Sequence, residues 1–127
     1  MKKIILYVLI VTALLTALAG CGRNKENPAS DFEYTISESG EVQITKYVGD
    51  DSTVVIPAQI EEKNVVSIGE KAFYQSTITS LVMPDTVTEI SYMAFCESKS
   101  LTNVTFSKKL SYVRGGAFSD CTALKKA

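Results

Sequence analysis

Apolar residues recur in the same order twice between residues 78 and 123. Ile78, Leu81, Met83, Ile90, Ala94 and Phe95 are answered, each 23 positions later, by Leu101, Val104, Phe106, Val113, Ala117 and Phe118. Leu124 again lies 23 after Leu101. Upstream, Val54, Ile56, Ile68, Ala72 and Phe73 fit the same template in a longer unit of 27 residues, with the extra positions between Ile56 and Ile68. A self-similar period between about 20 and 50 residues marks a solenoid or array. The pattern divides residues 51–127 into units at 51–77, 78–100 and 101–123, with a partial unit at 124–127.

Each unit has two halves. In the first, the apolar-x-apolar pairs Leu81/Met83 and Val104/Phe106 have period two, which predicts a short half-buried strand. The β-branched and threonine-rich composition suits a pleated surface. Pro57 and Pro84 directly follow two of these strands, where a missing N–H does little harm. In the second half, Ile90, Ala94 and Phe95 fall at helix-like offsets, so a short turn of helix or 3₁₀ is expected on the outer side of the coil. The small Ala lets the backbone approach closely and the Phe fills the interior. The expected fold is therefore a β-rich solenoid of about three coils.

Before the repeats, Phe32, Tyr34 and Ile36 alternate, then Val42 and Ile44, with Glu38-Ser39-Gly40-Glu41 between them. This is a β-hairpin signal. A solenoid's first coil needs a cap, and residues 32–50 are assigned that role. At the other end the chain stops one strand-start into a further unit. An uncapped coil leaves apolar surface and strand edges open. The expectation is a fragment of a longer repeat protein, or self-association through the open C-terminal coil.

The first 21 residues have a different character. Lys2 and Lys3 precede a sixteen-residue apolar run, 4–19, and then Gly20-Cys21. Charge, apolar core and a small-residue cleavage site describe a secretory signal peptide over residues 1–20. The run is short for a membrane-spanning helix, which takes about 20 residues. Leu18-Ala19-Gly20-Cys21 resembles the bacterial lipobox. That resemblance implies cleavage before Cys21, a diacylglycerol thioether on its sulfur, and an exported protein held on the cell membrane. Residues 21–31, lipidated Cys21 followed by GRNKENPASD, read as a polar tether.

Composition narrows the chemistry. Without the leader the formal charge falls from −1 to −3, since only Lys2 and Lys3 are lost. There is no basic stripe, so a nucleic-acid partner is not expected. With no histidine, Ser-His and Cys-His nucleophile systems are unavailable. Asp50-Asp51 and Glu61-Glu62 fall in turns and read as solvated pairs; the former is a weak Ca²⁺ candidate. No enzyme activity, cofactor or metal is expected. Cys96 and Cys121 are one period plus two apart, near each other on adjacent coils. An exported protein permits a disulfide between them, but the two-residue offset leaves buried free thiols as the other reading.

The units resemble the BspA-type bacterial leucine-rich repeat. The resemblance rests on Val54-Val55-Ile56-Pro57, on Ser67-Ile68-Gly69-Glu70-Lys71-Ala72-Phe73, and on Ala117-Phe118-Ser119-Asp120-Cys121, and it covers residue 32 to the end. Three positions depart from the pattern. Cys96 follows its Phe by one residue instead of three, Ser107 replaces the proline, and Ser91 and Arg114 answer Gly69. The family implies a leucine-rich-repeat solenoid with adhesion-type roles at the cell surface.

A solenoid lays its strands into one sheet, so the outward strand positions should face a partner together. These are Thr53, Val55, Ser80, Val82, Asn103 and Thr105, a shallow uncharged row suited to a protein or glycan. Asn103-Val104-Thr105 also fits a glycosylation sequon but reads as strand polarity. Tyr92 and Tyr112 are either exposed anchors or covers for the outer side. The alternative to a binding module is a structural envelope lipoprotein packing through its open coil edges.

Overall fold

The computed structural model describes Lys2–Lys3 and residues 25–125. Among the described residues, ten strands form two sheets. They are β1 (Lys2–Lys3), β2 (Phe32–Ile36), β3 (Val42–Tyr47), β4 (Thr53–Val55), β5 (Gln59–Ile60), β6 (Lys63–Ile68), β7 (Ser80–Val82), β8 (Glu89–Ile90), β9 (Asn103–Thr105) and β10 (Tyr112–Val113). One sheet runs β4-β7-β9; the other runs β1-β2-β3-β6-β8-β10, with β5 paired to β6. Within the repeats the rungs are parallel and in register: Thr53↔Ser80↔Asn103 on one side of the coil, Ser67↔Glu89↔Tyr112 on the other.

The third side of the coil carries the Ala-Phe stretch, and here the expected helix or 3₁₀ turn is corrected. Among the described residues the one 3₁₀ segment is Ala29–Asp31, in the cap. Residues 70–75, 92–97 and 115–120 are instead runs of turns. The reason lies in how the N–H groups are shared. The amides of Ala72, Tyr74 and Ser76 bond back three residues, to Gly69, Lys71 and Phe73. The alternate amides of Lys71, Phe73 and Gln75 bond forward to Tyr92, Ala94 and Cys96 of the next coil. The second and third coils repeat this, with Met93, Phe95 and Glu97 bonding to Gly115, Ala117 and Ser119. A helix would spend every amide within one coil. The alternation requires left-handed residues, seen at Lys71, Gln75, Met93, Glu97, Gly116 and Asp120, with φ between 52° and 69°.

The apolar template becomes the core. Val54, Leu81 and Val104 point inward from the first sheet, Ile68 and Ile90 from the second, and Ala72, Ala94 and Ala117 from the turn side. The phenylalanines stack as a ladder. Phe73, Phe95 and Phe118 are spaced 4.9 Å apart with ring planes within 14° of parallel. Tyr47 and Phe32 continue it into the cap. Coil spacing of roughly 4.8 Å sets this distance, and Ala beside each Phe leaves room for it.

The residues that depart from the repeat pattern have local explanations. Ser107, at the proline position of its coil, is buried and donates its hydroxyl to the Val87 carbonyl at 2.6 Å. Ser98 takes the place three after Phe95 that the pattern gives to Cys. Its Oγ donates to the Phe73 carbonyl at 2.7 Å, as the Cys121 thiol does to that of Phe95 at 3.0 Å. At Gly69 a Cβ would lie 2.9 Å from the Ile44 carbonyl of the cap, so only this coil needs glycine there. The extra residues of the first unit form the β5–β6 hairpin, turned by Glu61 and Glu62, both left-handed.

The cap is a β2–β3 hairpin as expected, with β3 parallel to β6 of the first coil. It starts earlier than residue 32, which shortens the expected tether of 21–31. Asn27 is buried and imitates a missing strand. Its N–H donates to the Val55 carbonyl at 2.8 Å, and its Oδ1 accepts from the Val55 N–H at 2.7 Å. Its Nδ2 donates to Asp31 and Asp51. The Asp31 carbonyl then accepts from the Val48 N–H. So the edge of β4 is covered by one residue, through its backbone N–H and its side-chain oxygen together. Of the leader, only the backbone of β1 lies within the described residues, antiparallel to β2. The lipobox and the rest of the proposed signal peptide lie outside them.

Candidate functional site

The six outward residues do share one surface. Thr53, Ser80 and Asn103 form one rung line, and Val55, Val82 and Thr105 form the next but one. Period two explains this, because Val54, Leu81 and Val104 between them are buried. Thr53, Asn103 and Thr105 are exposed; Val55, Ser80 and Val82 are half-buried. The surface is a flat strip of hydroxyl, amide and methyl groups with no charged side chain in either line. Thr79 and Thr102 border it, their hydroxyls donating to the Ser52 and Thr79 carbonyls of the preceding coil. The strip is therefore held by a backbone ladder and a hydroxyl ladder together, and its own side chains form no hydrogen bond among the described residues.

Other candidates lie elsewhere. Tyr92 and Tyr112 are 56 % and 59 % exposed, off the strip, so they do not cover the coil's outer side. Arg114 lies over the Tyr112 ring, 5.4 Å from its centroid, and its Nε bonds Glu89 at 2.7 Å. Asp51 is engaged by Asn27 and by Tyr47, whose hydroxyl accepts from the Asp51 N–H at 2.9 Å. Burial, then the carboxylates of Asp31, Asp51 and Asp50, raise the Tyr47 hydroxyl above its usual range, against a backbone hydrogen bond from Asp51. Glu61 accepts from the Tyr34 hydroxyl at 2.7 Å, tying the hairpin turn to the cap. These acids thus have structural partners.

Cys96 and Cys121 are free thiols, Cys96 buried and Cys121 half-buried. Burial pushes both thiols up. The Cys121 sulfur is directed to the Phe95 carbonyl, which is the physical reason the disulfide reading is not met. Cys96 instead has the carboxylates of Glu97 and Asp120 beside it, a grouping that sequence spacing alone did not suggest. Among the described residues no helix is long and apolar enough to cross a membrane.

A short-coiled parallel β-solenoid with a capped first coil and a flat strand face is the architecture of a leucine-rich-repeat protein. The BspA-type leucine-rich-repeat region matches residues 52–127 in six copies. The chain belongs to that family, whose members are generally binding modules. Solved structures agree. A T. pallidum leucine-rich-repeat protein is 32 % identical with a TM-score of 0.77, over 79 % of this chain and 48 % of its own. The chain thus spans about half the length of that protein. A leucine-rich-repeat protein from Bacteroides capillosus is 32 % identical, TM-score 0.73, over 80 % of both chains. A leucine-rich cell surface protein from Faecalibacterium prausnitzii is 29 % identical, TM-score 0.69, over 83 % of this chain and 30 % of its own. No curated protein sequence matches significantly.

Proposed function

We propose that the chain is an exported lipoprotein, anchored through Cys21, whose β4-β7-β9 strip binds a protein or glycan at the cell surface without chemical turnover. One observation carries the reading: six uncharged outward residues in register across three coils. A flat surface with no charged side chain exposes the strand edges' neighbours to hydrogen bonding without a desolvation penalty for ions. The cell-surface description of the F. prausnitzii protein supports the location, and so does the lipobox-like Leu18-Ala19-Gly20-Cys21. Two or three acyl chains give stable anchoring, at about 0.8 kcal/mol per buried CH₂.

The soluble domain from Gly22 onward should capture a partner from host matrix or glycan preparations. Thr53→Arg, Ser80→Arg and Asn103→Arg together should abolish capture while the circular dichroism spectrum stays unchanged. Unchanged capture would refute the strip. Capture from envelope extract alone would instead favour an assembly role. Palmitate label present in the wild type and absent in Cys21→Ala tests the anchor separately.

A further inference from the structure

The turn side carries a cluster that the binding strip does not use. Glu97 of the second coil and Asp120 of the third occupy equivalent left-handed positions, with φ of 61° and 59°. The ligand atoms of Cys96, Glu97 and Asp120 all lie within 4.8 Å of one another. Among the described residues neither carboxylate forms an ion pair; the salt bridge present joins Arg114 and Glu89 elsewhere. Glu97 accepts one hydrogen bond, from Gln75 at 2.7 Å.

A second observation is the sulfur. Cys96 is 5 % exposed, and its thiol has no hydrogen-bond partner among the described residues. Its sulfur lies within 4.8 Å of both carboxylates, whereas the Cys121 thiol donates to the Phe95 carbonyl. We propose that Cys96, Glu97 and Asp120 form a binding site for a thiophilic divalent cation of the zinc type, clamping the second coil to the third.

The donor set selects the ion. One sulfur and two carboxylate oxygens are three ligands, leaving a fourth tetrahedral position for water or a partner's group. Ca²⁺ and Mg²⁺ want six or more oxygens, so a buried sulfur is wasted on them. Bond lengths of about 2.3 Å to sulfur and 2.1 Å to oxygen put tetrahedral ligand atoms roughly 3.4–3.6 Å apart. Closing the cluster from within 4.8 Å to that distance calls for rotation of the two turn-side carboxylates. Binding exchanges the thiol proton for the metal: S–H and M²⁺ become S–M⁺ and H⁺, with one proton released per ion. Because the metal displaces the thiol proton, binding tightens as pH rises.

The test uses the chain from Gly22 under reducing conditions; the whole core lies downstream of that point. After zinc loading and gel filtration, a chromogenic chelator should find one zinc per chain. Cadmium should give a sulfur-to-metal charge-transfer absorption. Cys96→Ala should remove that absorption, while Cys121→Ala should keep it. Glu97→Gln and Asp120→Asn should each weaken binding by about tenfold or more without changing the melting temperature of the metal-free protein. No retained zinc, binding without the cadmium–sulfur band, or equal binding by the Glu97→Gln/Asp120→Asn double variant would each overturn the site.

Discussion

The most informative perturbation is Asn27→Ala, because it asks whether one side chain closes the edge of a sheet. The substitution removes three hydrogen bonds. The Val55 N–H loses its acceptor at 2.7 Å, and Asp31 and Asp51 lose a shared donor at 2.9 and 3.0 Å. A half-buried amide left without a partner costs about 1–3 kcal/mol. Asp31 is half-buried and Asp51 exposed, so water replaces most of what they lose, and together they add about 1 kcal/mol. The expected destabilisation is therefore roughly 2–4 kcal/mol. With a urea slope of about 1.5 kcal/mol per M, the midpoint falls by about 1.3–2.7 M. Equilibrium urea unfolding of the domain from Gly22, followed by tyrosine fluorescence, measures this. Lys25→Ala, on the same segment but exposed, should change little. If Asn27→Ala lies within about 0.5 kcal/mol of the wild type, as an ordinary surface change does, the segment is a tether and the edge argument fails.

Three further outcomes follow from the packing and the turns. Phe95→Ala removes a fully buried ring stacked on both faces and should cost about 3–5 kcal/mol in the same urea assay; a loss under about 1 kcal/mol would refute the ladder's role. Glu62→Gly relieves a left-handed residue at φ 64° in the hairpin turn and should stabilise by about 0.5 kcal/mol net of chain entropy, raising Tm by roughly 2–4 °C in calorimetry. The raised Tyr47 hydroxyl makes stability that is complete below its unfolded pKa of about 10 and is lost as pH climbs from there through the higher folded value. A Tyr47→Phe variant should lose less stability between neutral and strongly alkaline pH than the wild type, and an identical alkaline limb would contradict the assignment.

What the sequence made legible is what period two and period 23 control. Val54, Leu81 and Val104 inward and Thr53, Ser80 and Asn103 outward follow from alternation alone, and the match of rung to rung follows from the repeat. The turn side was misread because Ile90, Ala94 and Phe95 satisfy a helical offset equally well. Only the sharing of alternate amides between coils, as at Lys71, Phe73 and Gln75, decides against it. Asn27 was invisible for a related reason. In a polar segment an asparagine that caps a strand is indistinguishable from one in a linker until Val55 is seen beside it. The Ser98–Cys121 equivalence was hidden by Cys96, whose extra thiol drew attention from the position that bonds the preceding coil.

The fold places almost no demand on its outward side chains, so function has to be sought where the chain departs from its own local preferences. Natural sequences keep local and global preferences consistent, and the exceptions concentrate at functional sites. Left-handed Glu61 has a compensation, the Tyr34 hydroxyl that ties the turn to the cap. Left-handed Glu97 accepts from Gln75 at the same 2.7 Å, while Asp120 has no side-chain hydrogen bond among the described residues. They stack like charges in adjacent coils beside a buried, unbonded thiol, where neutral residues such as Gln75 one coil earlier would serve the solenoid equally well. The strip of Thr53, Ser80 and Asn103 is where the proposed partner would fit. The acidic pair beside Cys96 is a feature that the repeat itself does not require, and the proposed cation would bridge it.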